Sequence, residues 1–114
     1  MNKNEPIAIV GIGCRFPGGV VDPGSFWNLL SQGKNGISEI PADRWDLKKF
    51  STDNKTLKGK IYTDKGGFIE DIDQFEPEFF GISPREAKFM DPQKRIALEV
   101  AWEALEEGGF MPAE

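Results

Sequence analysis

One cysteine, Cys14, and no histidine at all bound the chemistry open to this chain. A cysteine attacks as its thiolate, and a histidine or cation beside it is what lowers its pKa enough to populate that form. Arg15 is adjacent, but the chain has no imidazole to act as base. Ser-His pairs, Cys-His pairs and histidine-ligated zinc are therefore beyond these residues alone. Cys14 reads as a small buried hydrophobe, the common state of a cysteine outside a disulfide. A single cysteine also forms neither an intramolecular disulfide nor a thiolate metal cage.

Two other patterns invite a chemical reading. Gly11-Ile12-Gly13 follows the apolar run Ile7–Val10, as a dinucleotide-binding turn would. The third glycine of that fingerprint should fall at position 16, which is Phe16, and Pro17-Gly18-Gly19 follows where a helix should begin. A pyrophosphate would lack its helix N-terminus, so these glycines are expected to serve a tight turn. The carboxylates Glu70, Asp71, Asp73, Glu76 and Glu78 miss the spacing of a calcium loop and read as a solvated acidic face. The aromatics Phe68, Phe75, Phe79, Phe80 and Phe89 lie beside them at irregular spacing and read as core anchors. No metal site and no cofactor site emerges from the residues.

Composition narrows the class further. The chain has 114 residues, the length of one domain, with 39% hydrophobic and 29% charged residues. That balance is globular rather than disordered. Lys and Arg number 14 against 19 Asp and Glu, a net charge of −5, which argues against nucleic acid as a partner. The apolar run Ile7–Ile12 is too short for a signal peptide, which needs roughly 7–15 apolar residues, or for a membrane span, which needs about 20. The expectation is a cytoplasmic setting with no membrane contact.

Local patterns suggest the elements that would position these residues. Ile7–Val10, β-branched at three of four positions, reads as a strand buried on both faces. Phe16-Pro17-Gly18-Gly19 and Asp22-Pro23-Gly24 turn the chain. Ser25 is the expected cap of a short helix through Phe26, Trp27, Leu29 and Leu30, ended by Gly33. An extended piece at Ile37–Ile40 precedes a turn at Pro41, and a second lies at Ile61–Ile69, with the Gly66-Gly67 pair marking a close backbone approach. Residues 51–60 are polar and aperiodic and read as a mobile surface loop. Asp73–Phe80 has the look of a short helix broken at Pro77, and Ser83-Pro84 starts another helix.

The clearest helix begins at Asp91-Pro92, runs to about Glu107 and stops at Gly108-Gly109. At 100° per residue its apolar positions, from Ile96 to Leu105, cover an arc of roughly 240°. A surface helix shows an apolar stripe only a little over 100° wide. This helix therefore expects cover on most of its circumference. Glu99, Glu103, Glu106 and Glu107 share the remaining sector, and the last two sit unfavourably at the negative end of the helix dipole.

Several stretches in order resemble the N-terminal part of a type I (modular) polyketide synthase ketosynthase domain, in the β-ketoacyl synthase and thiolase superfamily. They are Ile7-Ala-Ile-Val-Gly-Ile-Gly-Cys-Arg-Phe-Pro-Gly-Gly19, then Phe26-Trp27 with Leu30, and Ile40-Pro41-Ala-Asp-Arg-Trp-Asp46. After Gly66-Gly67-Phe68 come Phe79-Phe80-Gly-Ile-Ser-Pro-Arg-Glu-Ala87 and Met90-Asp-Pro-Gln-Lys-Arg95. The last stretch is Leu98-Glu-Val-Ala-Trp-Glu-Ala-Leu105. The likeness covers residues 5–110. Lys94 stands where the family usually has a second glutamine, Ala97 where it usually has leucine, and residues 51–60 match poorly.

The resemblance implies an α/β protein, a partial thiolase-like fold holding the N-terminal portion of an α-β-α-β-α stack, with residues 1–114 as one fragment of a ketosynthase. The family's reaction is decarboxylative Claisen condensation of an acyl chain with a malonyl-type extender. Its substrates ride on the phosphopantetheine arm of an acyl carrier protein, and it works as a homodimer among neighbouring synthase domains. Its catalytic cysteine and two histidines lie downstream of the positions present here, so Cys14 inherits no catalytic role. The expected catalytic, cofactor-binding and metal residues within this chain are none, and the chain alone is expected to be inactive. The alternative is a noncatalytic piece that pairs with a separate ketosynthase chain.

Overall fold

The computed structural model describes residues 4–111, which form two compact units. One consists of the N-terminal segment through Arg15 together with the chain from Asp71 onward; the other is Phe16–Glu70.

In the Phe16–Glu70 unit, the glycines of Phe16-Pro17-Gly18-Gly19 do turn the chain. Gly18 and Gly19 take φ of 90° and 76°, and Phe16 and Val20 close the turn as an isolated antiparallel bridge. Helix α1 spans Pro23–Ser31. Its cap is Asp22 rather than Ser25: the Asp22 carboxylate accepts from the Ser25 N–H at 2.6 Å, and the Ser25 hydroxyl accepts from the Asp22 N–H at 3.1 Å. This is a reciprocal capping box. Pro23 already fits the first helical site, which moves Ser25 inside the helix to the third. Phe16 packs on Phe26 with ring centroids 4.8 Å apart.

The two extended pieces expected at 37–40 and 61–69 pair as an antiparallel ladder. Strand β1 (Ile37–Glu39) meets β2 (Lys65–Gly67), with Ile37 opposite Gly67 and Glu39 opposite Lys65. Gly67 is where the backbone comes close: a Cβ there would stand 2.8 Å from Pro17 Cγ. A one-turn helix α2 (Leu47–Phe50), capped by Asp46, lies between the strands. Its single turn escaped the sequence pattern, since four residues are too few to show a helical period. Residues 51–60 form turns and bends, closed by a parallel bridge between Ser51 and Ile61.

In the other unit, a short 3-10 helix at Glu78–Phe80 replaces the longer helix expected over Asp73–Phe80. Helix α3 (Pro84–Phe89) starts at Ser83, whose hydroxyl accepts from the Glu86 N–H at 3.2 Å. Helix α4 (Pro92–Glu107) starts at Asp91, whose carboxylate accepts from the Gln93 N–H at 2.8 Å. It ends in a Schellman pattern, with Gly109 at φ 74°, its N–H on the Glu106 carbonyl and the Phe110 N–H on Leu105.

Ile7–Val10 is the main correction. These residues are extended but belong to no ladder, and Ile7 and Ile9 are 95% and 84% exposed. A strand buried on both faces needs strands beside it, and among the described residues none pairs here. The buried apolar residues of the described chain are Cys14, Val20 and Ala87.

Candidate functional site

Each residue singled out for chemistry acquires a definite place. Segment 11–15 lies along the second half of α4. A Cβ at Gly11 would overlap the Ala104 carbonyl oxygen, and one at Gly13 would overlap that of Val100 and come within 3.0 Å of its Cγ1. Here glycine allows two backbones to touch, a packing role, and neither the tight turn expected at Gly11-Ile12-Gly13 nor a phosphate cradle forms. Cys14, between Gly13 and Arg15, is buried as expected.

Arg15 joins the same contact. Its guanidinium forks onto the Glu103 carboxylate, with Nη1 donating to Oε2 at 2.7 Å and Nη2 to Oε1, while Nη1 also donates to the Cys14 carbonyl at 3.0 Å. Bidentate pairing of this kind is among the stronger polar contacts. The hydrogen bond that Arg15 donates to Glu103 holds the Arg15 pKa above its ordinary value; burial opposes this, and the charge of Glu103 adds to it. Glu107 accepts from the Ile12 N–H. Two of the four glutamates that share the non-apolar sector of α4 thus grip the N-terminal segment, and Glu107 has a backbone donor despite its place at the negative helix end.

The opposite side of α4 carries the inversion of that expectation. Ala97, Leu98, Ala101 and Leu105 are exposed, and they form one continuous apolar strip. Trp102, further round, is partly covered by Phe79, edge-on at 4.7 Å between ring centroids, and by Phe80 at 6.5 Å. Phe75 stacks on Phe80 at 5.3 Å and both are half-buried, whereas Phe79 stays 56% exposed despite its ring contacts, so the five aromatics do not form a buried core. Phe89 is 82% exposed. The carboxylates from Glu70 to Glu78 are all exposed.

Two clefts remain. One, of about 510 Å³, lies at the junction of α3 and α4 among Ser83, Arg85, Glu86, Phe89, Met90 and Lys94. The other, about 370 Å³, is apolar and lies beside β2 among Ile40, Trp45, Ile61, Tyr62 and Phe68, with Lys60 and Lys65 on its edge. Reading 51–60 only as a loop passed over its lysines; the local charge balance is the signal that reveals them. Neither cleft pairs a nucleophile with a base. Among the described residues no group of His, Cys, Asp or Glu is placed to hold a metal ion, and no helix is long and apolar enough to cross a membrane.

Comparison with known proteins gives a consistent result. The family model described as beta-ketoacyl synthase, N-terminal domain, matches residues 4–114. The chain is 56% identical over 108 residues to a phenolphthiocerol/phthiocerol polyketide synthase chain of Mycobacterium bovis, covering 95% of this chain and 6% of that protein. A phenolphthiocerol/phthiocerol polyketide synthase chain of Mycobacterium tuberculosis is equally similar, and the match covers 7% of it. Among solved structures, an oxazolomycin ketosynthase domain from Streptomyces albus matches with a TM-score of 0.81 and 39% identity. A ketosynthase from module 6 of the bacillaene synthase of Bacillus subtilis matches with a TM-score of 0.78 and 40% identity. Each alignment covers 87% of this chain and, respectively, 17% and 16% of the solved one.

Proposed function

Because the chain belongs to the β-ketoacyl synthase family and carries the N-terminal part of the ketosynthase, thiolase-like fold, we propose that it is the N-terminal portion of a polyketide synthase ketosynthase and performs no chemistry by itself. The observation that carries this reading is the family match over residues 4–114 in a chain without a single histidine.

The whole domain would act as follows. A cysteine thiolate attacks the thioester carbon of a carrier-bound acyl chain, and the phosphopantetheine thiol leaves. A malonyl-type unit on an acyl carrier protein loses carbon dioxide with help from two histidines. The carbanion left behind attacks the acyl-cysteine thioester, and the cysteine thiolate departs as the new carbon–carbon bond forms. Backbone N–H groups hold the oxyanion in both additions. All three side chains would come from sequence beyond these positions. Carrier protein, neighbouring synthase domains and a second ketosynthase copy are the partners of that whole.

The role of residues 4–111 in this scheme is structural. The Gly11–Arg15 segment is fixed to α4 by backbone contact and by the Arg15–Glu103 fork, and Cys14 is enclosed by it. A thiol buried there is shielded from an acyl thioester.

The test has two arms. The isolated chain, incubated with an acyl thioester, should show no adduct on Cys14 by mass spectrometry. A polyketide synthase ketosynthase in which residues 4–111 replace the native equivalent should still condense carrier-bound substrates. Stoichiometric acylation of Cys14, or a folded chimera without condensation, would overturn the proposal.

A further inference from the structure

The charge of the chain is unevenly spread. Between positions 48 and 65 lie six lysines and two aspartates, a local balance of +4, which leaves −9 on the remainder of a chain whose total is −5. All six lysines are exposed.

The structure brings three of them to the 370 Å³ apolar cleft beside β2. Lys60 and Lys65 line its edge, and Lys55 lies over the Tyr62 ring, 5.3 Å from the centroid. The loop that presents them is pinned rather than loose. Thr52 N–H donates to the Ile61 carbonyl and Ile61 N–H to Phe50, both at 2.8 Å, and the Lys60 ammonium donates to the Lys49 carbonyl. Asn54 closes the tip, accepting from the N–H of Thr56 at 3.0 Å and from its hydroxyl at 2.7 Å. Trp45 and Tyr62, 48% and 60% exposed, leave an aromatic surface open to solvent beside these cations.

We propose that the cleft formed by Trp45, Tyr62 and Phe68, flanked by Lys55, Lys60 and Lys65, is a docking site for an acidic polypeptide segment that inserts an apolar side chain. The apolar floor takes the inserted side chain, and the lysines meet flanking carboxylates. Charge complementarity of this kind steers encounter and fixes register more than it adds affinity. A nucleic acid fits less well. Its phosphates recur about every 3.4 Å along a strand and call for an extended basic footprint, whereas the chain outside positions 48–65 carries a net −9. The planar fork that grips phosphate is missing as well: Arg44, the arginine nearest in sequence, donates to the Ile69 carbonyl at 2.6 Å. This inference stands on charge and cleft geometry and does not rest on the ketosynthase reading.

The experiment uses the full chain and a fluorescein-labelled peptide of Asp and Glu residues around a central Leu-Phe pair. Fluorescence anisotropy should show binding that weakens as salt rises, since exposed charges are screened over about 10 Å at 0.1 M. The same peptide with Asn and Gln for its acids, and oligothymidylate, should bind more weakly. The triple change Lys55→Gln, Lys60→Gln and Lys65→Gln should weaken binding roughly tenfold, each exposed pair contributing a few-fold. The matching Lys→Arg changes should retain it, with unaltered circular dichroism in both. Tyr62→Ala should weaken binding by loss of the apolar floor. No binding, salt-independent binding, equal binding of the uncharged peptide, stronger binding of oligothymidylate, or an unaffected Lys→Gln variant would each overturn the proposal.

Discussion

The two sides of α4 stand in opposite conditions. On one, Val100, Glu103, Ala104 and Glu107 meet the Gly11–Arg15 segment in backbone contact and charge-assisted hydrogen bonds. On the other, Ala97, Leu98, Ala101 and Leu105 meet solvent, although they are the more apolar set. A helix holds its place by covering an apolar face, since propensity alone leaves short helices marginal in water. The gripped side is therefore complete in itself, while the bare side asks for protein that these residues do not supply. The solved ketosynthases that match this chain are much longer, its alignment spanning 17% and 16% of them.

The largest effect should come from challenging the bare side. The isolated chain is expected to self-associate and to bind an apolar dye, as judged by size-exclusion chromatography and fluorescence. Leaving a large apolar side chain uncovered forgoes about 1.5–3 kcal/mol, and Ile7 and Ile9 add to Leu98 and Leu105 in that count. The pair Leu98→Gln and Leu105→Gln should reduce association. A monodisperse monomer with well-dispersed amide signals would erase the contrast between the two sides.

Next comes the gripped side. Gly13→Ala, made in a ketosynthase carrying these residues, should lower stability by roughly 1–3 kcal/mol, the cost of forcing atoms into a packed contact. An unchanged denaturation midpoint would mean that α4 and the N-terminal segment are not in close contact. Asp91→Ala in the same host should cost about 1 kcal/mol through loss of the helix cap. It tests the helix without touching either side, and so calibrates the other two.

The smallest effect belongs to the Arg15–Glu103 fork. Glu103→Gln should cost up to about 1 kcal/mol, discounted because Glu103 is 41% exposed, and the loss should shrink at high salt. The sign of the pH dependence follows from the raised Arg15 pKa. A cation whose folded pKa is raised contributes its full stability below its unfolded value and loses it as pH climbs through the folded one. From the Arg15 side, the fork should therefore persist through neutral and moderately alkaline pH. A loss at neutral pH, followed by thermal melts, would mean the guanidinium is not its source.

What the sequence by itself determined is what is written locally. Asp91-Pro92 and Gly108-Gly109 bracket α4, and Ser83-Pro84 opens α3, because caps and turn glycines act on backbone groups within a few residues. The paired extended pieces around Ile37 and Gly66-Gly67 were legible for the same reason, and Cys14 was legible as buried from its type alone. The absence of histidine bounded the chemistry before any fold was known. Other features were decided by contacts distant in sequence. An apolar run such as Ile7–Val10 records that burial is wanted but not whether partners are present, and here the run is exposed. The wheel of α4 separates apolar from acidic positions but cannot say which sector the N-terminal segment will take. Glycines at 11 and 13 let that segment come close enough for Arg15 and Ile12 to reach Glu103 and Glu107, and this claimed the acidic side. Tertiary structure alone assigned the faces, because side-chain spacing fixes what a helix can offer while the approach of another backbone fixes what is accepted.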